Sequence, residues 1–163
     1  MKESYAAGFG VVARLLTGGV WVLAGLLKLP DPAASVRAVR AYDLLPEQAV
    51  TTVGHLLPLV EVVVGLCLLA GLVTRLSATV SALLFVAFIV GIASAWSRGL
   101  EIDCGCFGGG GPVAAGATRY GIEMLRDTAL LLVAAGLALW PASRLALSAP
   151  AAHAPTDAEK EGL

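Results

Sequence analysis

The segment from Leu76 to Ser97 constrains the fold most, because it is long, apolar and free of charged residues. A helix needs about 20 apolar residues to cross the roughly 30 Å hydrocarbon core of a bilayer. A soluble domain of 163 residues has too little interior to bury several segments of this kind. We therefore expect a chain that lies in a membrane.

Composition supports this expectation and excludes other classes of protein. Hydrophobic residues make up 58% of the chain and charged residues 14%, against about 25% charged residues in soluble domains. Disorder needs low hydrophobicity and high charge, so it is excluded for most of the chain. A net charge of −1 without a basic face argues against nucleic-acid binding. Three cysteines are too few for a disulfide-rich secreted scaffold.

Four segments are long and apolar enough to predict membrane spans: about 8–29, 49–73, 76–97 and 119–140. The predicted fold is therefore all-α, an integral membrane four-helix bundle formed by a single domain of residues 1–147. Glycines inside the spans, such as Gly18, Gly25 and Gly65, would let the helices approach closely. Residues 148–163 are rich in alanine, proline and charge, which predicts a disordered tail.

The connection between the first two spans predicts a short helix. Asp31 suits an N-cap and Pro32 suits the first helical position. Arg37 and Arg40 share one stripe, and Pro46 would end the helix. Two interpretations remain open: an interfacial helix at the membrane surface over the mouth of the bundle, or a plain connector.

Charge counts give the orientation only weakly. Four spans place the loops 30–48 and 98–118 on one side and both termini on the other. The positive-inside rule assigns the more basic side to the cytoplasm, and the loop side leads by one residue. The loop side carries Lys28, Arg37, Arg40, Arg98 and Arg119, and the terminal side carries Lys2, Arg75, Arg144 and Lys160.

The strongest chemical signal is a pair of cysteines, Cys104 and Cys106, in a glycine-rich loop between the third and fourth spans. Asp103 and Phe107 flank the pair, and Gly105 between them relaxes the backbone of a small disulfide ring. Strained disulfides are more easily reduced than structural ones. The pair can be a redox-active dithiol, a thiolate metal site or a structural pair. A metal site would need further ligands, and no histidine is near in sequence.

Charged residues inside the predicted spans are candidate functional groups. Glu61 lies near the middle of the second span, where a carboxyl group is costly and needs a partner. Arg126 in the fourth span is the predicted partner, with Arg14 as the second candidate. Glu61 would act as a proton site or, with Arg126, hold the headgroup of a quinone cofactor. Alternatively, Glu61 and its partner would form a structural pair between helices. Lys28 is expected to snorkel: the aliphatic part of its side chain would lie in the hydrocarbon, and its ammonium group would reach the membrane surface.

The fourth span begins with a polar stripe made of Arg119, Glu123, Arg126 and Asp127, which are spaced three or four residues apart. Because it follows the cysteine loop, the stripe would line a wet cavity beneath the two thiols. A basic group there would lower the pKa of a thiol and favour the reactive thiolate. The alternative is a satisfied cluster of salt bridges.

Four pieces of the chain resemble the methylamine-utilisation MauE family of DoxX-like membrane proteins. They are Gly25–Pro32, Arg40–Pro46, Leu57–Gly65 and Ile102–Gly108, and the resemblance extends over about residues 8–140. It implies a multi-pass membrane protein that supports redox chemistry or maturation of exported proteins, as in methylamine metabolism. It does not identify this chain's own substrate.

The resemblance implies a membrane thiol–disulfide oxidoreductase, or an accessory subunit of one, with Cys104 and Cys106 as the exchanging pair. The partner would be an exported thioredoxin-like or disulfide-containing protein, so the loop would face the extracytoplasmic side, against the charge count. Two alternatives stay open: a non-catalytic membrane anchor that assembles a redox complex, and a carrier of a metal or small molecule.

Overall fold

The computed structural model describes the backbone of residues 2–140 and the side chains of residues 8–140. The predicted tail lies outside these residues. The described elements are α1 (Lys2–Lys28), α2 (Pro32–Ala41), α3 (Glu47–Ala70), α4 (Thr74–Ser97), β1 (Ile102–Asp103), β2 (Gly111–Pro112) and α5 (Tyr120–Leu139).

Three of these helices are long and apolar enough to cross a membrane: Gly8–Lys28 within α1, and all of α3 and α4. The helix α5 has 20 residues, which also span about 30 Å. Its first eight residues include three charged ones, Glu123, Arg126 and Asp127. The structure therefore shows a mostly helical protein with three clear candidate spans among the described residues.

The short helix α2 begins as the sequence predicts. The Asp31 side chain accepts a hydrogen bond from the backbone N–H of Ala34 at 2.9 Å, and Pro32 opens the helix. The predicted end at Pro46 is wrong, because α2 ends at Ala41. Asp43 adopts a φ of 49°, a left-handed conformation that an α-helix cannot contain.

Close backbone contact joins α1 to α3. A Cβ atom added at Gly65 would lie 2.7 Å from the carbonyl oxygen of Gly18, and one added at Gly18 would lie 2.9 Å from the carbonyl oxygen of Gly65. Only glycine fits at both positions, since real side chains do not approach backbone oxygens so closely. This crossing fixes the register of the two helices, and with it the depth of every other side chain on their shared face.

Trp21 of α1 connects the helices at the centre of the core. Its ring stacks on Phe85 of α4 with the centroids 4.5 Å apart, and its Nε1–H donates to Ser81 Oγ at 3.0 Å. Buried apolar side chains from α3 and α5 complete the cluster, including Leu68 and Leu137. Helices α4 and α5 also pack along their lengths, so all four long helices share one core.

Arg14 of α1 lies against the last turn of α3. The predicted pairing of Arg14 with Glu61 is wrong, because the guanidinium donates to the carbonyl oxygens of Leu68 at 2.9 Å and Leu69 at 3.2 Å. These carbonyls belong to the last turn of α3, where a cation is favourable. The chain then turns at Gly71, which has a φ of 70°, and re-enters the bundle as α4.

Candidate functional site

A short hairpin frames the two loop cysteines. Strands β1 and β2 pair antiparallel, with Ile102 opposite Pro112. The Tyr120 hydroxyl at the start of α5 accepts from the Ile102 N–H at 3.2 Å and donates to the Leu100 carbonyl at 2.6 Å. The base of the loop is therefore fixed to α5, and the cysteines lie between its two strands.

Gly105, between the cysteines, brings the loop against α2. Its φ is +68°, and a Cβ atom at this position would lie 2.9 Å from the Cβ of Ala38. Both the backbone conformation and the space therefore require glycine. The Asp103 side chain accepts from the Gly105 N–H at 2.8 Å, which stabilises the turn.

Cys104 and Cys106 are free thiols in this structure, and they are in direct contact. The backbone N–H of Cys106 donates to Cys104 Sγ across 3.4 Å. Cys106 is 8% exposed, whereas Cys104 is half-buried. The Tyr42 hydroxyl donates to the Cys104 carbonyl at 3.1 Å, so the chain just after α2 also holds the pair.

The surroundings make the two thiols unequal. The hydrogen bond from the Cys106 side chain lowers the pKa of Cys104, and the Cys106 N–H and Arg126 act in the same direction. Its interaction with Cys104, together with burial, raises the pKa of Cys106. Burial and the nearby Glu123 oppose the lowering at Cys104. The net directions favour Cys104 over Cys106 as the thiol that loses its proton first. Burial raises the pKa of Tyr42 as well, so its hydroxyl remains a donor.

The polar residues of α5 lie under the loop. Arg126 Nη2 is 4.0 Å from Cys104 Sγ, and its guanidinium carbon is 4.8 Å above the centre of the Phe107 ring. Arg126 also pairs with Asp127 at 2.8 Å, and Asp127 is 2% exposed. One cation is thus held next to the thiolate by a buried carboxylate.

A possible set of metal ligands also occurs here. Asp103, Cys104 and Glu123 each offer one ligand atom, and these three atoms lie within 4.8 Å of one another. The Oε2 atom of Glu123 is buried without a hydrogen-bond partner among the described residues. Thiolate and carboxylate ligands suit zinc, so the donor set fits a metal as well as redox chemistry.

Glu61 has a different partner from the predicted one. Its carboxylate contacts Lys28 Nζ at 2.5 Å, and the two side chains are 0% and 6% exposed. The predicted pair of Glu61 with Arg126 is therefore wrong, and so is the expectation that Lys28 reaches the membrane surface. The glycine crossing of α1 and α3 places the end of α1 next to Glu61, a register that composition and spacing do not reveal.

Sequence reasoning missed two residues that position the cysteines, Tyr42 and Ala38. The available signal was the piece Arg40–Pro46, which carries part of the family resemblance and contains Tyr42. Cys67 lies on α3, half-buried and away from the loop. It contributes no third thiol to the site.

Comparison with known proteins identifies the family. The family model described as methylamine utilisation protein MauE matches residues 6–141. No curated protein and no solved structure shows a significant match. The match includes all of α2 to α5 and the cysteine loop, and the chain belongs to the MauE family.

Proposed function

From this family membership and the paired thiols, we propose that the protein is a membrane thiol–disulfide oxidoreductase. The observation that carries the proposal is the unequal pair: half-buried Cys104 is the more exposed thiol and has the lowered pKa, and buried Cys106 lies against it. An accessible attacking thiol followed by a protected resolving thiol is the arrangement that disulfide exchange requires.

The exchange proceeds through a mixed disulfide on Cys104. The Cys104 thiolate attacks a disulfide of the partner protein, one partner sulfur leaves as a thiolate, and Cys106 then attacks Cys104 Sγ. The second step releases the partner as a dithiol and closes the Cys104–Cys106 disulfide. In the reverse direction the same steps introduce a disulfide into the partner and leave Cys104 and Cys106 reduced. The natural partner in this proposal is an exported thioredoxin-like or disulfide-containing protein.

The proposal includes a membrane arrangement. We place α5 as a fourth span of one domain, with its polar first turns covered by the cysteine loop, and α2 at the membrane surface. Contacts of Arg126 with Asp127, Phe107 and Cys104 support this placement, because they give the charged residue polar and aromatic partners away from lipid. The loop then faces the extracytoplasmic side, where disulfides persist.

Oxidised glutathione tests the exchange directly. We expect the reduced full-length protein to form an internal disulfide and release two molecules of reduced glutathione. A Cys106→Ser variant should stop at the first step and keep one glutathione on Cys104, which mass spectrometry detects as a stable adduct. A Cys67→Ser variant should behave like the unmodified protein, because this residue lies outside the loop.

Two results would contradict the proposal. One is equal reaction of oxidised glutathione with the Cys104→Ser and Cys106→Ser variants, since the proposal assigns the attack to Cys104 alone. The other is a glutathione adduct in the unmodified protein that Cys106 does not resolve. Either outcome would show that the two cysteines do not act as an exchanging pair.

The carboxylates near Cys104 favour a second candidate function, a metal carrier. In that case Asp103, Cys104 and Glu123 would bind zinc. Purified protein should then bind one zinc ion per chain, and Cys104→Ser and Glu123→Gln should each abolish binding. Glutathione exchange that is unaffected by Glu123→Gln, without zinc binding, would favour the redox function.

A further inference from the structure

A cavity of about 320 Å³ lies beneath α2, and both loop cysteines form part of its wall. This volume is at the lower end of the range for pockets that bind small organic molecules. Val39 of α2, Val53 of α3 and Ala87 of α4 are among its apolar lining residues. Neither Glu61 nor Arg126 is part of the wall. The two cysteines therefore border a mainly apolar space.

Two polar groups also line this cavity. The Ser35 hydroxyl is on a residue only 6% exposed and has no hydrogen-bond partner among the described residues. Leaving a buried hydroxyl unpaired is unfavourable, so the site suits a ligand that accepts a hydrogen bond. The Lys28 side chain, held by Glu61, is a second donor in the wall. A molecule with carbonyl oxygens on an apolar ring would complement both groups.

The cavity is open to the surroundings of the protein. Leu44, Leu45, Val53 and Ala87 line it and are exposed. Val53 and Ala87 lie on α3 and α4, two helices long and apolar enough to span a membrane. A ligand dissolved in the hydrocarbon phase therefore has a route to the thiols that avoids water.

We propose that this cavity binds the ring of a membrane-soluble quinone and that the Cys104–Cys106 dithiol reduces it. The inference rests on the proposed thiol–disulfide function and supplies its electron acceptor. As the sulfur–sulfur bond forms, the two thiols lose two electrons and two protons. The two carbonyl oxygens of the quinone gain them and become the hydroxyls of a hydroquinone. A lipid acyl chain would fill the space but leave the Ser35 hydroxyl unpaired and accept no electrons.

Decyl-ubiquinone is a suitable probe, because the four ring carbons other than the two carbonyl carbons all carry substituents. The ring therefore resists addition of a thiol. We would reduce the full-length Cys67→Ser protein in detergent, remove the reductant and add the quinone. The ultraviolet absorbance of the quinone should fall by one equivalent per chain while both loop thiols disappear. A Cys104→Ser/Cys106→Ser variant should leave the quinone oxidised.

Cavity variants locate the site. Ala87→Phe adds a large side chain to the cavity wall from α4 and Val53→Phe adds one from α3. Each should slow quinone reduction at least about tenfold. Val90→Phe is the matched control, because Val90 is 60% exposed on α4 and is not part of the wall. Ser35→Ala needs no repacking and should raise the half-saturating quinone concentration at least about threefold.

The inference would be overturned if the three single variants, Ala87→Phe, Val53→Phe and Ser35→Ala, all reduced the quinone at the rate of the unmodified protein. Reduction by the variant that lacks both loop thiols would overturn it as well. The reaction with oxidised glutathione is read separately on the same protein. Glutathione exchange without quinone reduction removes only the acceptor proposed here, whereas loss of glutathione exchange removes the proposed function itself.

Discussion

At the scale of single residues, the surroundings of Cys104 and Cys106 shift the pKa values of the two thiols in opposite directions. The hydrogen bond from Cys106 lowers the pKa of Cys104, and Arg126, 4.0 Å from its sulfur, adds to this effect. An ordinary thiol has a pKa of about 8.5. The lowered pKa predicts that Cys104 forms a thiolate at a lower pH than an ordinary thiol does.

The first prediction concerns the pH dependence of alkylation. In a Cys67→Ser background, the alkylation rate of Cys104 should rise with pH and level off below the pH typical of a free thiol. Arg126→Gln should move this curve to higher pH, because it removes a positive charge that stabilises the thiolate. Iodoacetamide labelling followed by mass spectrometry measures both curves.

Arg119→Gln is the matched control for that shift, since Arg119 is exposed at the start of α5. Its curve should match that of the unmodified protein. Identical curves for Arg126→Gln and Arg119→Gln would mean that the guanidinium next to Cys104 has no influence on the thiol.

The second prediction concerns the buried pair of Lys28 and Glu61. Lys28→Met leaves the Glu61 carboxylate buried without its ammonium partner, which typically costs about 3–5 kcal/mol. We expect the free energy of unfolding, measured by detergent titration, to fall by about this amount. The double variant Lys28→Met/Glu61→Gln should recover part of the loss, because no unpaired charge remains.

Arg37→Met provides the comparison for an exposed pair. Arg37 contacts Asp31 at 3.3 Å, but both side chains are more than half exposed, so the free energy of unfolding should change little. An equally small effect of Lys28→Met would show that Glu61 does not depend on Lys28.

At the scale of elements, the fit of α1 against α3 depends on individual glycines. Gly18 and Gly19 are neighbours on α1, but they face different surroundings. A Cβ atom at Gly18 would lie 2.9 Å from the Gly65 carbonyl oxygen, whereas one at Gly19 meets nothing within 4 Å. The two positions therefore separate the effect of packing from the effect of helix propensity.

The third prediction follows from this difference. Gly18→Val should force α1 away from α3 and destabilise the protein by about 1–3 kcal/mol, the usual cost of overpacking. Gly19→Val should be neutral or slightly stabilising, because glycine is a poor helix former. Thermal unfolding in detergent, followed by circular dichroism, compares the two variants. Equal midpoints would contradict the close approach of the helices.

At the scale of the whole molecule, α2 and the cysteine loop share one end of the bundle, and Arg14 and Gly71 lie at the other. The contact of Gly105 with Ala38 joins the loop to α2. Every group assigned to thiol exchange therefore lies on one side of the membrane in the proposed arrangement. The orientation of that side is directly measurable.

The fourth prediction concerns this orientation. In intact cells that express a Cys67→Ser variant, a membrane-impermeant maleimide should label the loop cysteines after reduction by an impermeant reductant. Labelling that requires lysis would place the loop in the cytoplasm, as the count of basic residues favours. Labelling without prior reduction would show an exposed pair that rests as free thiols.

The sequence predicts where the helices lie along the chain better than it predicts which residues of different helices contact each other. Long, mainly apolar segments identify α1, α3 and α4, and Asp31 with Pro32 identifies the start of α2, because these signals are local. The partner of Glu61 is not local. It depends on how far α1 slides along α3, which the contact of Gly18 with Gly65 decides. The same limit applies to Tyr42, whose hydroxyl reaches the loop only after α2 has packed.

The buried pair of Lys28 and Glu61 also has a consequence for the order of events during biosynthesis. Glu61 follows Lys28 by 33 residues in the chain. The ribosome therefore synthesises Lys28 before the Glu61 carboxylate that pairs with it. An unpaired ammonium is costly in hydrocarbon. The C-terminal end of α1, which carries Lys28, must therefore stay near water until α3 enters the membrane. Insertion of the first helix to its final depth is therefore a late event, completed only when the third helix arrives.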